Sequence, residues 1–293
     1  MNPEYLDDFS FVKGLYNVTS AVYSCFEKRV KTDKDRGWWP HTTNVLYYSI
    51  KKIDWLLNPL EQLDPERDES FYLMYVYIRP IIEHFFIAYY IQTKTRVHGV
   101  EHVARQYYNE RFNSEQFKRI GYRLKFEAIL DRRTPVSLLE EIKVKYASNI
   151  PYSEIERVHK VGRQFDFDKI IEYFAKHVPE DDVLFDFNKY ATKLFQTYNI
   201  ASNYLHGGIL ADEEHFRTEG IEESKLVRLN GNVFWGRICS LMLKQILLEI
   251  LRLRNTEYKD CFIPIQHFNW MHGRENGRPD IGIKTYLQKI TPD

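Results

Sequence analysis

The sequence has little cysteine and no net charge, and each shortage removes a class of function. Only Cys25, Cys239 and Cys261 are present, an odd number at wide spacing. Neither a disulfide framework nor a CxxC metal pair can be built from them. Such sparse thiols suit a reducing compartment, and the expectation is a cytoplasmic protein. Lys+Arg and Asp+Glu each number 41, for a formal net charge of zero. That argues against binding nucleic acid mainly through bulk charge, although it does not exclude a local basic groove. The N-terminus, Met1 to Asp8, is acidic and has no apolar core, so no signal peptide is expected. There is no GxxxxGK[ST] loop, no GxGxxG after a strand and no GxSxG elbow. Nucleotide hydrolysis, dehydrogenase and serine-hydrolase readings have no support. Internal repeats and low-complexity tracts are lacking, and alternating strand patterns are few.

What is abundant is aromatic residues, 21 Tyr, 19 Phe and 5 Trp, enough for a large core or an aromatic-lined cleft. Apolar positions recur mostly at helical spacing. A first helix is expected over roughly residues 7–29 and a second over Asn44 to Leu57, ended or interrupted by Asn58-Pro59. Asp68 is the expected N-cap of a long apolar helix ending near Thr93. Pro80 inside it should kink or restart the helix. The stretch Phe71 to Ile91 imitates a membrane span, but Arg79, Glu83 and His84 lie in its middle. A central charge costs about 2.5–3.5 kcal/mol on insertion scales, so a buried helix in a protein core is the better home, with no membrane partner. Short helices broken by Pro135, Pro151 and Pro179 follow. A further helix is expected over 182–206, stopped by Gly207-Gly208. Asn232 is the expected cap of an apolar helix reaching about Arg254. The expected architecture is all-α, a helical bundle in one domain over 1–293, with residues 1–60 as an N-terminal helical extension and 255–293 as an irregular tail. The helices at 68–94, 182–206 and 232–254 should pack together as the core.

Three places could carry chemistry. In the buried helix, Arg79 and Glu83 are four apart and share a face, with His84 adjacent. Buried charges must be paired, so the group is either a structural ion pair or a site facing a cleft. On the 182–206 helix, Asn188, Thr192, Phe195, Asn199, Ser202 and His206 form one stripe, largely polar with only His206 ionisable. An uncharged polar stripe suggests a hydrogen-bonded, partly buried surface. Between residues 94 and 133, ten basic residues, Arg119 and Arg123 among them, outnumber five acidic ones. Aromatics such as Tyr107, Phe112, Tyr122 and Phe126 are interleaved with them. This is either a nucleic-acid surface or a solvated helical face over core aromatics. Two histidine pairs, His98 with His102 and His267 with His272, lack the spacing or number of ligands for a metal signature. No metal or cofactor is expected.

Arg79 and Glu83 on an early apolar helix, with Ser202, His206 and Gly207 on a later one, resemble an all-helical bacterial family of unknown function. More distantly, Arg79-Pro-Ile-Ile-Glu-His84 resembles the Arg-x4-6-His motif of HEPN domains, and Arg96 with His102 fits that spacing too. The resemblance covers mainly residues 68–95 and 182–208. It implies an HEPN-like helical core, metal-independent RNA cleavage, a toxin or antiviral-defence setting, and a homodimer or other protein partner, since HEPN sites are commonly composite. Such cleavage needs a base for the 2′-hydroxyl and a cation for the phosphate. The resemblance assigns Arg79 to the phosphate, His206 or His84 to proton transfer, and Glu83 to orienting them. Asn199 and Ser202 would be supporting donors, and Arg119 and Arg123 would contact RNA. The alternative is a non-enzymatic interaction or sensor protein in which the Arg79–Glu83 and Ser202–His206 pairs are structural.

Overall fold

In a computed structural model of the chain, residues 41–98, 102–132, 151–177, 187–209 and 222–254 are described, with a few isolated positions besides. Among the described residues 89% are helical and none is in a strand, so the protein is all-α. No helix among them is long and apolar enough to cross a membrane. The helix expected over 7–29 and the tail over 255–293 lie outside the described residues.

The helices are α1 (His41–Glu61), α2 (Asp68–His98), α3 (His102–Gln106), a π segment (Tyr107–Arg111) leading into α4 (Phe112–Leu130), α5 (Tyr152–Arg163), α6 (Phe167–His177), α7 (Phe187–Leu205) and α8 (Glu222–Arg254). They fall into two compact units. One takes the chain up to Ala88 and from Val178 onward; the other takes Tyr89–His177.

The first unit is built on α2. Met74, Ile78, Ile81, Ile82, Phe85 and Phe86 are all fully buried, because a helix apolar on every side must be covered on every side. Residues 41–60, expected to belong to an extension, contribute Leu46, Ile50, Ile53 and Leu60 to this core. Helix α8 packs along α1. A Cβ on Gly236 would come within 2.9 Å of Leu57 and 3.6 Å of Ile78 and Ile81, so the missing side chain permits the close approach of α8. Ser240 Oγ donates to Asp54 at 2.7 Å and Arg237 Nε to Glu61 at 2.7 Å. At the start of α2, Asp68 accepts from the buried Lys225 of α8. Helix α7 lies on α2 through aromatic stacks, Tyr75 on Tyr204 at 4.2 Å and Phe86 on Phe195 at 4.9 Å.

Four helix boundaries differ from expectation. Helix α1 continues through Pro59 to Glu61, since a proline in the last turn forgoes a single ladder bond. Helix α2 runs on past Pro80 to His98, held by the buried side chains on either side of the proline. Asp68 is its first residue, and with Glu69 it places negative charge at the positive end of the helix dipole. Asn232 is interior to α8, which starts at Glu222, and is buried there. The stop after α7 is as expected: Gly207 has φ +62° and Gly208 N–H donates back to the Asn203 carbonyl at 2.8 Å. Glycine adopts that conformation without a side-chain clash.

The second unit packs Tyr89, Tyr90, Val103, Leu124, Ile155, Val158, Phe165, Ile170 and Phe174 inward. Tyr90 meets Tyr173 edge-on at 4.9 Å and Phe165 at 5.8 Å. Helices α4 and α5 cross closely at Gly162, where a Cβ would stand 2.4 Å from that of Ser114. An ionic joint closes this corner. Arg111 Nη1 donates to Asp166 at 2.6 Å and to the Gly162 carbonyl at 3.3 Å, and Nη2 pairs with Glu115 at 2.9 Å.

Candidate functional site

The alignment of α7 on α2 decides which polar side chains meet. With Tyr75 stacked on Tyr204 and Phe86 on Phe195, Arg79 falls opposite the last turns of α7. Its Nε–H donates to Ser202 Oγ at 3.2 Å, and its Nη2–H donates to Tyr198 Oη at 3.3 Å. The guanidinium carbon lies 5.2 Å from the Tyr198 ring centroid. One arginine is thus held by two hydroxyls and an aromatic face on a single neighbouring helix, and all three groups are half-buried. These bonds are at the long end of the N–H···O range, so they orient the group more than they bind it.

Glu83, one turn along α2, makes no ion pair with Arg79 among the described residues; the arginine turns to the hydroxyls instead. Glu83 acts on the site through Tyr198. Burial raises the Tyr198 phenol above its usual range, the Glu83 charge raises it further, and Arg79 and the hydrogen bonds from Arg79 and Ser202 oppose the rise. The phenol is therefore protonated at neutral pH and available as a donor.

The other expected site residues are placed differently. His84 is half-buried and lies in the field of Lys52 on α1; burial first, then that positive charge, lowers its pKa to about 4. It is neutral at physiological pH and a weak base. His206 follows α7 directly, exposed, with its N–H donating to the Ser202 carbonyl at 3.1 Å. One helical turn therefore separates it from the serine that holds Arg79. Asn199 is exposed and outside the Arg79 contacts. Arg119 and Arg123 lie on α4, in the second unit, both exposed, and Arg123 pairs with Glu127 at 3.6 Å.

Tyr198 is the residue that sequence reasoning missed. It stands four before Ser202 and so shares its face. The polar stripe was traced through Asn199, and Tyr198 was not among the residues singled out. Among the described residues no group of three His, Cys, Asp or Glu could hold a metal ion. The chemistry present is an oriented cation whose charge is met by neutral oxygens, a protonated phenol, a nearby carboxylate and an exposed histidine one turn away. Such a set suits an oxyanion or a phosphate.

No known family, curated protein or solved structure matches the chain.

Proposed function

We propose that the protein is an HEPN-like, metal-independent endoribonuclease, an effector of a bacterial toxin or antiviral defence system acting in the cytoplasm. The observation that carries the reading is the Arg79 guanidinium, oriented by Ser202 and Tyr198 with no carboxylate paired to it among the described residues. In the proposed reaction the RNA 2′-hydroxyl attacks the adjacent phosphorus. A P–O bond forms, the bond to the 5′-oxygen breaks, and a 2′,3′-cyclic phosphate and a 5′-hydroxyl result. Arg79 stabilises the charge that grows on the non-bridging oxygens. His206 takes the 2′-hydroxyl proton, and a proton is returned to the departing 5′-oxygen. Glu83, Tyr198 and Ser202 position these groups, and Asn199 is an outer donor. His84, held neutral beside Lys52, supports α2 and is the weaker candidate for proton transfer. The defence setting rests on the HEPN resemblance alone.

The test is incubation of the purified chain with total RNA and with tRNA, with and without EDTA, beside Arg79→Ala and His206→Ala variants whose folding is checked by circular dichroism. Cleavage that survives EDTA and is lost in the folded variants supports the proposal. A wild-type protein that binds no RNA and cleaves none sinks it. The second reading, a non-enzymatic interaction protein, is favoured by a different observation: the outward face of α4 exposes large apolar side chains.

A further inference from the structure

Several cations of the second unit are cancelled inside it: Arg111, Lys118, Arg157 and Lys169 each pair with a carboxylate. Lys94, near the end of α2, is half-buried and keeps different company. Its ammonium lies 5.0 Å from the Tyr90 ring centroid and 5.3 Å from that of Tyr173. It donates to Gln164 Oε1 at 3.5 Å, the long limit for such a bond. No carboxylate pairs with it among the described residues. Burial pushes its pKa down, while the two ring faces favour the charged form. A half-buried cation held by ring faces and one amide oxygen leaves its field open to an anion.

The amides beside Lys94 are oriented by it. A lysine can only donate, so Gln164 turns its oxygen to the ammonium and its NH2 to Gln106, whose Oε1 accepts at 3.1 Å. Gln106 is then left with its own NH2, which has no further partner among the described residues. The relay therefore has an ammonium at one end and an amide NH2 at the other, a surplus of donors. The Tyr173 hydroxyl is buried without a partner, and burial raises its pKa, so it stays protonated. The three relay residues come from α2, from the last position of α3 and from the cap that ends α5. Gln106 leads directly into the π segment Tyr107–Arg111, and π turns are rare and recur at functional sites. A cation finds no charged acceptor in this set. A phosphate dianion would meet one positive charge and no guanidinium fork, whereas a carboxylate matches a single ammonium in charge and accepts from amide N–H groups. We infer that Lys94, Gln164 and Gln106 form a binding site for the carboxylate of a small organic acid, lying wholly within the second unit and separate in its residues from the Arg79 site.

The test is titration of the full chain with acetate, benzoate and inorganic phosphate at constant ionic strength, chloride being the balancing ion. Two readouts are followed: the melting temperature, and the rate at which formaldehyde and cyanoborohydride methylate each lysine, read peptide by peptide in mass spectrometry. A carboxylate is expected to raise the melting temperature and to protect Lys94, about threefold at a ligand concentration twice the dissociation constant. Lys160 and Lys169 should react at unchanged rates. Lys94→Met is expected to weaken binding about tenfold or more. Gln106→Leu should weaken it less, and since this variant keeps the ammonium and its two rings, it distinguishes a lost contact from a lost fold. Absence of both protection and stabilisation with either carboxylate overturns the inference, as does equal stabilisation of a folded Lys94→Met protein. Phosphate that protects Lys94 at lower concentration than either carboxylate assigns the site to a phosphate group and overturns it as well.

Discussion

Two arginines with little exposure, one in each unit, differ in the kind of partner they keep. Arg111 is enclosed by acids and a carbonyl: Asp166 at 2.6 Å, Glu115 at 2.9 Å and the Gly162 oxygen at 3.3 Å. Lys118 and Arg163 lie 3.7 and 3.5 Å from the same Asp166 carboxylate. Arg79 is held by the hydroxyls of Ser202 and Tyr198 and by an aromatic face. A guanidinium surrounded by carboxylates has its charge cancelled and serves as a joint between helices. One held by neutral oxygens is oriented by its neighbours, yet its field remains for an incoming anion. The same side chain is structural in the first setting and suited to chemistry in the second.

The largest test of this contrast is activity. Under the proposed reaction, Arg79→Ala is expected to lower the rate of RNA cleavage about 10²–10³-fold, the usual cost of removing a donor aimed at developing charge. Arg111→Ala should leave the rate per folded molecule unchanged, as single-turnover assays would show. If the two substitutions cost the same activity, the contrast has no functional meaning. Stability should move the other way. Arg111→Ala removes the shortest partner of Asp166 and Glu115, leaving them to Lys118 and Arg163, and is expected to cost about 2 kcal/mol in urea denaturation, in the range for hydrogen bonds to charged groups.

Smaller substitutions refine the comparison. Tyr198→Phe removes one of the two bonds to Arg79 and should cost about 1 kcal/mol in transition-state stabilisation, roughly a fivefold loss of rate. Ser202→Ala should act similarly, and the double variant should fall short of the sum, because both act through one guanidinium. A Tyr198→Phe protein with unaltered kinetics in the proposed reaction would leave the hydroxyl a purely structural part.

The smallest effects are read from pH. At Asp166 burial raises the pKa, but the Arg111 hydrogen bond and the charges of Lys118, Arg111 and Arg163 outweigh it, and the net shift is downward. A carboxylate with a depressed folded-state pKa contributes stability that is present above the unfolded value, about 3.9, and lost as pH falls through the folded one. The acid limb of the wild-type stability profile should therefore flatten in Arg111→Ala. His84 acts in a higher window. Its pKa is lowered to about 4 by burial and by Lys52, against about 6.5 unfolded. The unfolded chain binds the extra proton between these values, so stability should decline as pH drops from about 6.5 toward about 4. His84→Gln should remove that slope in denaturation curves measured across the window. A slope that persists in the variant would place its origin elsewhere.

Much of this molecule was legible before any coordinates. The central burial of α2 followed from its all-round apolar character despite three ionisable residues. The stop after α7 followed from Gly207-Gly208. Arg79 and Ser202, far apart in the chain, were both singled out as site candidates, and they are bonded to each other. Less legible were the helix limits at Pro59, Pro80 and Asn232, because a proline in a last turn costs little and local proline and cap rules yield where buried side chains on neighbouring turns, such as Ile78, Ile81 and Ile82 around Pro80, hold the helix together. The aromatics of α4 were left between two readings, a nucleic-acid surface and a charged face over core aromatics, and Phe112, Tyr122 and Phe126 are exposed. Composition cannot say which side of a helix meets the core when the inward positions are Ser114, Gly121 and Ala128, small residues that announce a close helix crossing only when the partner is seen.

The sequence by itself determined the class, because helical periodicity, caps and the requirement to bury an apolar helix are local or additive properties of the chain. It also determined that Arg79 needed a partner, since a charge in so apolar a helix cannot stand alone. Only the tertiary structure decided who that partner was. Glu83 was the partner offered by helical spacing, and Tyr198 with Ser202 is the pair that the packing of α7 on α2 supplies. The choice rests on where two aromatic stacks set one helix against another, and a contact between residues more than a hundred positions apart leaves no trace in local spacing.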